Sequence, residues 1–311
     1  MPLRGALVAA ALAALGSAAC ASAVESSKIE DGARRAVPVP ICLKPLPRHA
    51  DQGVISQPTA ADYWSMILPS YEPGAGTVDS RGRDCAGRAL LSRPELAQAE
   101  GPQEGPIPAR PEDVTVTGAA DGFKVVWLRT HQFADGTSAG PLALVRPREA
   151  YAEVYAVGLY RGIPAASRFA FERLGFRILV TATNDGCAGG KGADSCQTNL
   201  TLFLCTGGEL LPSAQFATLR VETGTEPGMD RVQYRLTAKP IYEAKSVRVR
   251  EQMVVRDSGQ NELRKSNQDR VFSLQGGTTL AAKTESLWTQ VVGRKKAAEL
   301  PASHPPVDKR K

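Results

Sequence analysis

Between Ala244 and Leu274 apolar and polar residues alternate. Val247, Val249, Met253 and Val255 fall on one face of an extended chain. Ser246, Arg248, Arg250, Gln252 and Arg256 fall on the other. Successive strand side chains point to opposite faces, so this stretch offers one face to a core and one to water. The run DSGQN (Asp257–Asn261) supplies a turn, and ELRKSNQDRVFSL returns antiparallel.

The same pattern recurs upstream. In TNLTLFLC, Leu200, Leu202 and Leu204 share a face opposite Asn199, Thr201 and Phe203, which predicts a half-buried strand. DVTVTG alternates, GFKVVWLRTHQF is rich in β-branched and aromatic residues, and an Asp135–Gly136 turn precedes PLALVRP. EVYAVGLYRG and RFAFERLGFRILVTATNDG read as strands or a hairpin, with a helical alternative in each. TLAAKTESLWTQVV reads as a late helix or a final strand. Short strands and turn signals at near-regular spacing predict a mainly β fold, an antiparallel sandwich or barrel with few short helices. No repeated blade signature supports a propeller.

The organisation follows from composition. Residues 1–23 have the form of a signal peptide: Arg4, a charge-free Ala/Leu-rich run, and Ala21 and Ala23 at the small positions of a cleavage site. The run is short for a membrane span, which needs about 20 apolar residues. The sequence GSAAC gives a second reading, a lipoprotein signal ending before Cys20, which would carry the lipid anchor. Ser17 stands where such a motif usually has Leu. Residues 24–112 form a Pro/Gly-rich, partly irregular N-terminal extension and linker. Within it Tyr63, Trp64, Met66, Ile67 and Leu68 form an apolar cluster expected to dock on the core, behind a short helix capped by Thr59 or Asp62. Residues 113–292 make the antiparallel β domain, and 293–311 a basic flexible tail. No other apolar run is long enough to span a membrane.

Export places the cysteines in an oxidising compartment. Cys187 and Cys196 bracket the glycine-rich AGGKGADS and are expected to close a disulfide across a hairpin loop. Cys42 and Cys85 are expected to pair with each other, leaving Cys205 as a buried thiol. The Cys187–Cys196 spacing is too wide for a structural zinc pair, and no His lies nearby. Asn184, Asp185 and Asp194 flank the loop without the alternating acids of an EF-hand.

Neither catalytic nor metal-binding residues are assigned, and no cofactor is expected. Among three histidines only His131 lies in the folded body. Asp135 and Ser138 are near it in sequence, yet all three belong to one turn and its flank, whereas triad members come from separate elements. A G-x-S-x-G elbow, H-E-x-x-H, a P-loop and G-x-G-x-x-G are missing. Trp127, Trp288, Tyr151, Tyr155 and Tyr160 are expected to pack in the core rather than stack on sugars.

The net charge is +6. Lys245–Lys311 holds 14 Lys/Arg against 7 Asp/Glu, leaving the rest about neutral. Arg248, Arg250 and Arg256 form a candidate anion-binding stripe, and the expected partner is an anionic envelope component or glycan. The basic residues are not interleaved with aromatics as in single-strand binders, and an exported chain is not expected to meet nucleic acid. Together these features predict an exported bacterial envelope protein, periplasmic, secreted or lipid-anchored at the outer membrane. Its β domain is expected to bind or to serve a structural role. A hydrolase of cell-wall or extracellular polymer and a subunit of an envelope complex are the alternatives. The sequence does not set the oligomeric state.

Overall fold

The computed structural model describes residues 39–46, 58–79, 82–89, 106–187, 195–226 and 228–293. The signal segment, Cys20, Asp194 and the basic tail beyond Gly293 lie outside the described residues. The fold is mainly β. In chain order the elements are β1 (Cys42–Pro45), α1 (Ala60–Ile67), β2 (Thr77–Asp79), β3 (Pro106–Pro108), β4 (Val114–Gly118), β5 (Lys124–Leu128) and β6 (His131–Gln132). They continue with β7 (Ser138–Pro147), β8 (Tyr151–Gly162), β9 (Ser167–Leu174), β10 (Arg177–Asp185), β11 (Ser195–Thr206) and β12 (Glu209–Glu226). The last are β13 (Met229–Tyr242), β14 (Ser246–Asp257), β15 (Glu262–Gln275) and β16 (Thr279–Ala282), followed by a π-helical turn, Thr289–Gly293.

From β9 to β16 each strand pairs antiparallel with the next in sequence, making a meander. β12 is the fork. Its first residues, Glu209 and Leu210, pair parallel with Val157 and Gly158 of β8. From Leu219 onward it pairs with β13, and β11 follows its other edge. Through this fork the meander joins a second group of strands, β8, β7, β5 and β4, with β1 on β8 and β6 on β7. The sheet does not close into a barrel. The tight β11–β12 hairpin turns on Gly207 and Gly208, both with φ above zero (58° and 78°). Left-handed backbone at both central positions suits a turn whose twist matches that of the strands.

Hydrophobic clusters between packed elements explain the burial. Val125, Trp127, Leu142, Leu144, Tyr155 and Tyr160 meet Phe169, Ile178, Val180 and Phe203 of β9–β11. Trp127 stands edge-on to Tyr160 and Phe169. On the far side of β10 and β11, Leu179, Leu200, Leu202 and Leu204 pack on Val247, Val249, Phe272 and Leu280. β11 is therefore buried on both faces: Phe203, expected to face water, is 2% exposed. A third cluster joins Val126, Leu128, Val145 and Val154 to Trp64, Met66, Ile67 and Leu68 of α1. Thr59 caps α1 in a capping box with Asp62. Tyr155 and Tyr160 are buried as expected, while Tyr151 keeps 41% of its surface.

The β8–β12 junction tolerates no side chain at Gly158. A Cβ there would run into the Leu210 carbonyl oxygen and lie 2.8 Å from the Leu210 Cβ. Backbone cannot swing aside as a flexible side chain can, so Gly158→Ala is expected to destabilise the fold by about 3 kcal/mol. Urea unfolding measures this; a change within about 0.5 kcal/mol, the range of neutral surface substitutions, would show that the junction is loose.

Candidate functional site

The alternation along β14 conceals one exception. Val247, Val249, Met253 and Val255 point inward, and so does Glu251, which is 3% exposed. It separates the cluster beneath β10–β11 from a fourth cluster, in which Val232, Leu236, Met253 and Val255 pack against Leu287, Trp288, Val291 and Val292. A carboxylate in that row needs partners, because burying an unpaired charge is very costly. Arg270 on β15 supplies one: its Nη1 donates to Glu251 Oε1 at 2.7 Å. The backbone N–H of Leu287 donates to Oε2 at 2.8 Å.

These bonds fasten residues 284–293 over the inner face of the sheet. Arg270 Nε donates to the Thr284 carbonyl at 3.1 Å. Gln268 Nε2 donates to the Glu285 carbonyl, and Gln290 Nε2 to Gln268 Oε1. Between this strap and the sheet is a cavity of about 320 Å³. Leu236, Phe216 and Trp288 form apolar wall, while Arg220, Arg270, Gln197 and Gln215 line it with polar groups. The Arg220 guanidinium lies 4.2 Å from the Trp288 ring centroid, within cation–π range. Gln197 and Arg220 also border a second, more open cleft of about 610 Å³ beside Cys196, Glu222 and Thr223. The smaller cavity is the stronger candidate because it contains the buried charges.

Sequence reasoning passed over Glu251, Arg270 and Arg220. The signal for Glu251 was present, since it is the one acid at an apolar-phase position of β14. Arg220 carries no such mark, while Arg270 shares its strand phase with buried Phe272, a phase otherwise too polar to stand out.

The expected site residues fall as follows. Cys42–Cys85 and Cys187–Cys196 are disulfides with Cα–Cα distances of 6.1 and 5.1 Å, and Cys205 lies buried outside both. Arg248, Arg250 and Arg256 stand on the outward face of β14. Glu243 binds Arg248 at 2.8 Å, and Asp269 lies 3.7 and 3.9 Å from Arg248 and Arg250, so part of the stripe's charge is matched locally. Asp185 accepts from Cys187 N and Thr198 Oγ1. Among the described residues no cluster of three metal-ligating side chains occurs.

His131 is 8% exposed. Its Nδ1 meets Thr130 Oγ1 at 2.9 Å, and its Nε2 is buried with no partner among the described residues. Asp135 turns away to Arg161 and Thr137, and Ser138 is buried on β7, so the three do not form a triad. Burial holds the His131 pKa below its usual 6.5. The folded state thus binds the proton less readily than the unfolded state. Stability should be full above pH 6.5 and fall as pH drops through the lowered value. His131→Gln should flatten that fall in urea midpoints measured across pH 7.5 to 5; an unchanged slope would assign it to other groups.

The two disulfides suit an oxidising compartment, and among the described residues no helix is long and apolar enough to cross a membrane. No family model, curated protein or solved structure matches this chain.

Proposed function

We propose that this chain is an exported envelope protein whose β body is a non-catalytic binding module, periplasmic, secreted or tethered through Cys20. The observation that supports this most is the state of the charged groups around the cavity. Both Glu251 oxygens are engaged, one by Arg270 and one by the Leu287 N–H. A general acid or base has to exchange protons with substrate, whereas a carboxylate bonded in this way fixes shape. Guanidinium, amide and aromatic groups held around a concave space are recognition chemistry.

The test is thermal unfolding of the full chain with envelope fragments: muropeptides, lipopolysaccharide core oligosaccharides and anionic phospholipid vesicles. At least one fragment should raise the midpoint, and Arg220→Ala should abolish the rise. Fragment cleavage seen by mass spectrometry would replace this reading with the hydrolase.

The open edge of β15 favours a second reading, a subunit of an envelope complex. β16 covers only Phe272–Gln275, and among the described residues no strand pairs with the outer edge of β15 from Glu262 to Val271. Such an edge is a template for strand addition. Co-purification of a stoichiometric partner, lost when Leu263 is replaced by Pro, would support it.

A further inference from the structure

The cavity beneath Trp288 holds more hydrogen-bond donors than its own acceptors use. Glu251 and the Thr284 carbonyl engage Arg270 through Nη1 and Nε; among the described residues its Nη2 donates to nothing. Arg220 approaches Glu222 at 3.4 Å through Nη2, a long contact for a charge-assisted bond. Its Nε and Nη1 make no described bond, and neither does the Gln215 amide. Gln215 is exposed and Arg220 keeps 35% of its side chain open to water, so both donors are accessible to an incoming ligand.

We propose that the cavity takes an acidic sugar, a hydroxylated ring bearing a carboxylate or a phosphate, with the oxyanion on Arg220 and Arg270. This deepens the binding reading above and rests on it. A planar guanidinium presents paired N–H groups that match a carboxylate or phosphate edge. Arg270 is already oriented by Glu251 and Thr284, and Arg220 lies within cation–π range of Trp288, so little ordering remains to oppose binding. Gln215 offers its amide to ring hydroxyls, and Gln197, whose Nε2 is held by Asn199, offers its carbonyl oxygen. A volume of about 320 Å³ is at the small end of ligand pockets, which suits one substituted ring. Glu251 and Glu285 balance Arg220 and Arg270 in the lining. Selectivity therefore comes from directed donors rather than from a net positive field.

The experiment titrates the full chain with glucuronate, glucose 6-phosphate and glucose, read by ligand-observed NMR, alongside Arg220→Gln and Gln215→Ala. Circular dichroism establishes that both variants fold. At least one acidic probe should bind about tenfold tighter than glucose. Arg220→Gln should erase that preference, and Gln215→Ala should weaken the acidic probes while leaving their preference intact. Glucuronate alone identifies a carboxylate source, and glucose 6-phosphate alone a phosphate source. Equal binding of all three, or a preference that survives Arg220→Gln, overturns the acidic-sugar inference and leaves the binding reading standing. Silence of all three probes overturns it too; only silence of the envelope-fragment panel as well removes the binding reading.

Discussion

Glu251→Ala should cost about 3–5 kcal/mol, the scale for removing one partner of a buried ion pair. Two groups lose an acceptor at once. The Arg270 guanidinium, only 13% exposed, keeps its charge in a site built to neutralise it. The Leu287 N–H loses its partner, and the strap over 284–293 loses the bond that holds its middle. Hydrogen exchange at Leu287–Val292 should then quicken more than exchange in β5 or β7, because the strap is released before the rest of the fold. The double variant Glu251→Leu with Arg270→Met should recover most of the loss, since apolar groups of similar volume remove the need for charge compensation. A single-variant loss below about 1 kcal/mol, within reach of an ordinary neutral hydrogen bond, would mean that water reaches the pair.

Replacing Cys42 and Cys85 by Ser should lower stability by about 4 kcal/mol, because the bridge spans 43 residues and its loss frees a long loop in the unfolded chain. The same change at Cys187 and Cys196, which are 9 apart, should cost only about 2–3 kcal/mol. A chemical-denaturation series on the two double variants checks the order. Parity between them would show that unfolded-chain entropy is not the main contribution. A second tie limits the damage at the first bridge. Buried Asp84 binds Arg88, whose Nη2 donates to the Gly208 carbonyl at the β11–β12 turn. The segment around Cys85 should therefore stay near β12 even when reduced.

How far the fold could be read from residues depends on how many layers cover each strand. β14 and β15 cover one side of the sheet and expose the other, so period two shows plainly in their sequence. β10 and β11 lie between two layers, and there polarity misleads: Thr181 and Thr198 are buried despite their hydroxyls. The α1 cluster was visible because Trp64, Met66, Ile67 and Leu68 have nowhere to go but a core. The cavity was nearly invisible. Its residues come from five strands and the strap, each ordinary in its own stretch, and only Glu251 breaks a local rule.

The fork at β12 has a kinetic meaning. Along the meander each strand meets a partner that is next in sequence, so its loops are short and close early. Glu209 with Val157, and Cys42 with Val154, are joined across much longer stretches of chain. The C-terminal hairpins can therefore assemble without waiting for the N-terminal half. Loop-closure entropy predicts the docking of β8 and its neighbours onto β12 as the late step. Until it occurs, the surface that will carry Val180 and Phe203 inward stays wet and sticky. That interval is when a chaperone would matter most to this protein.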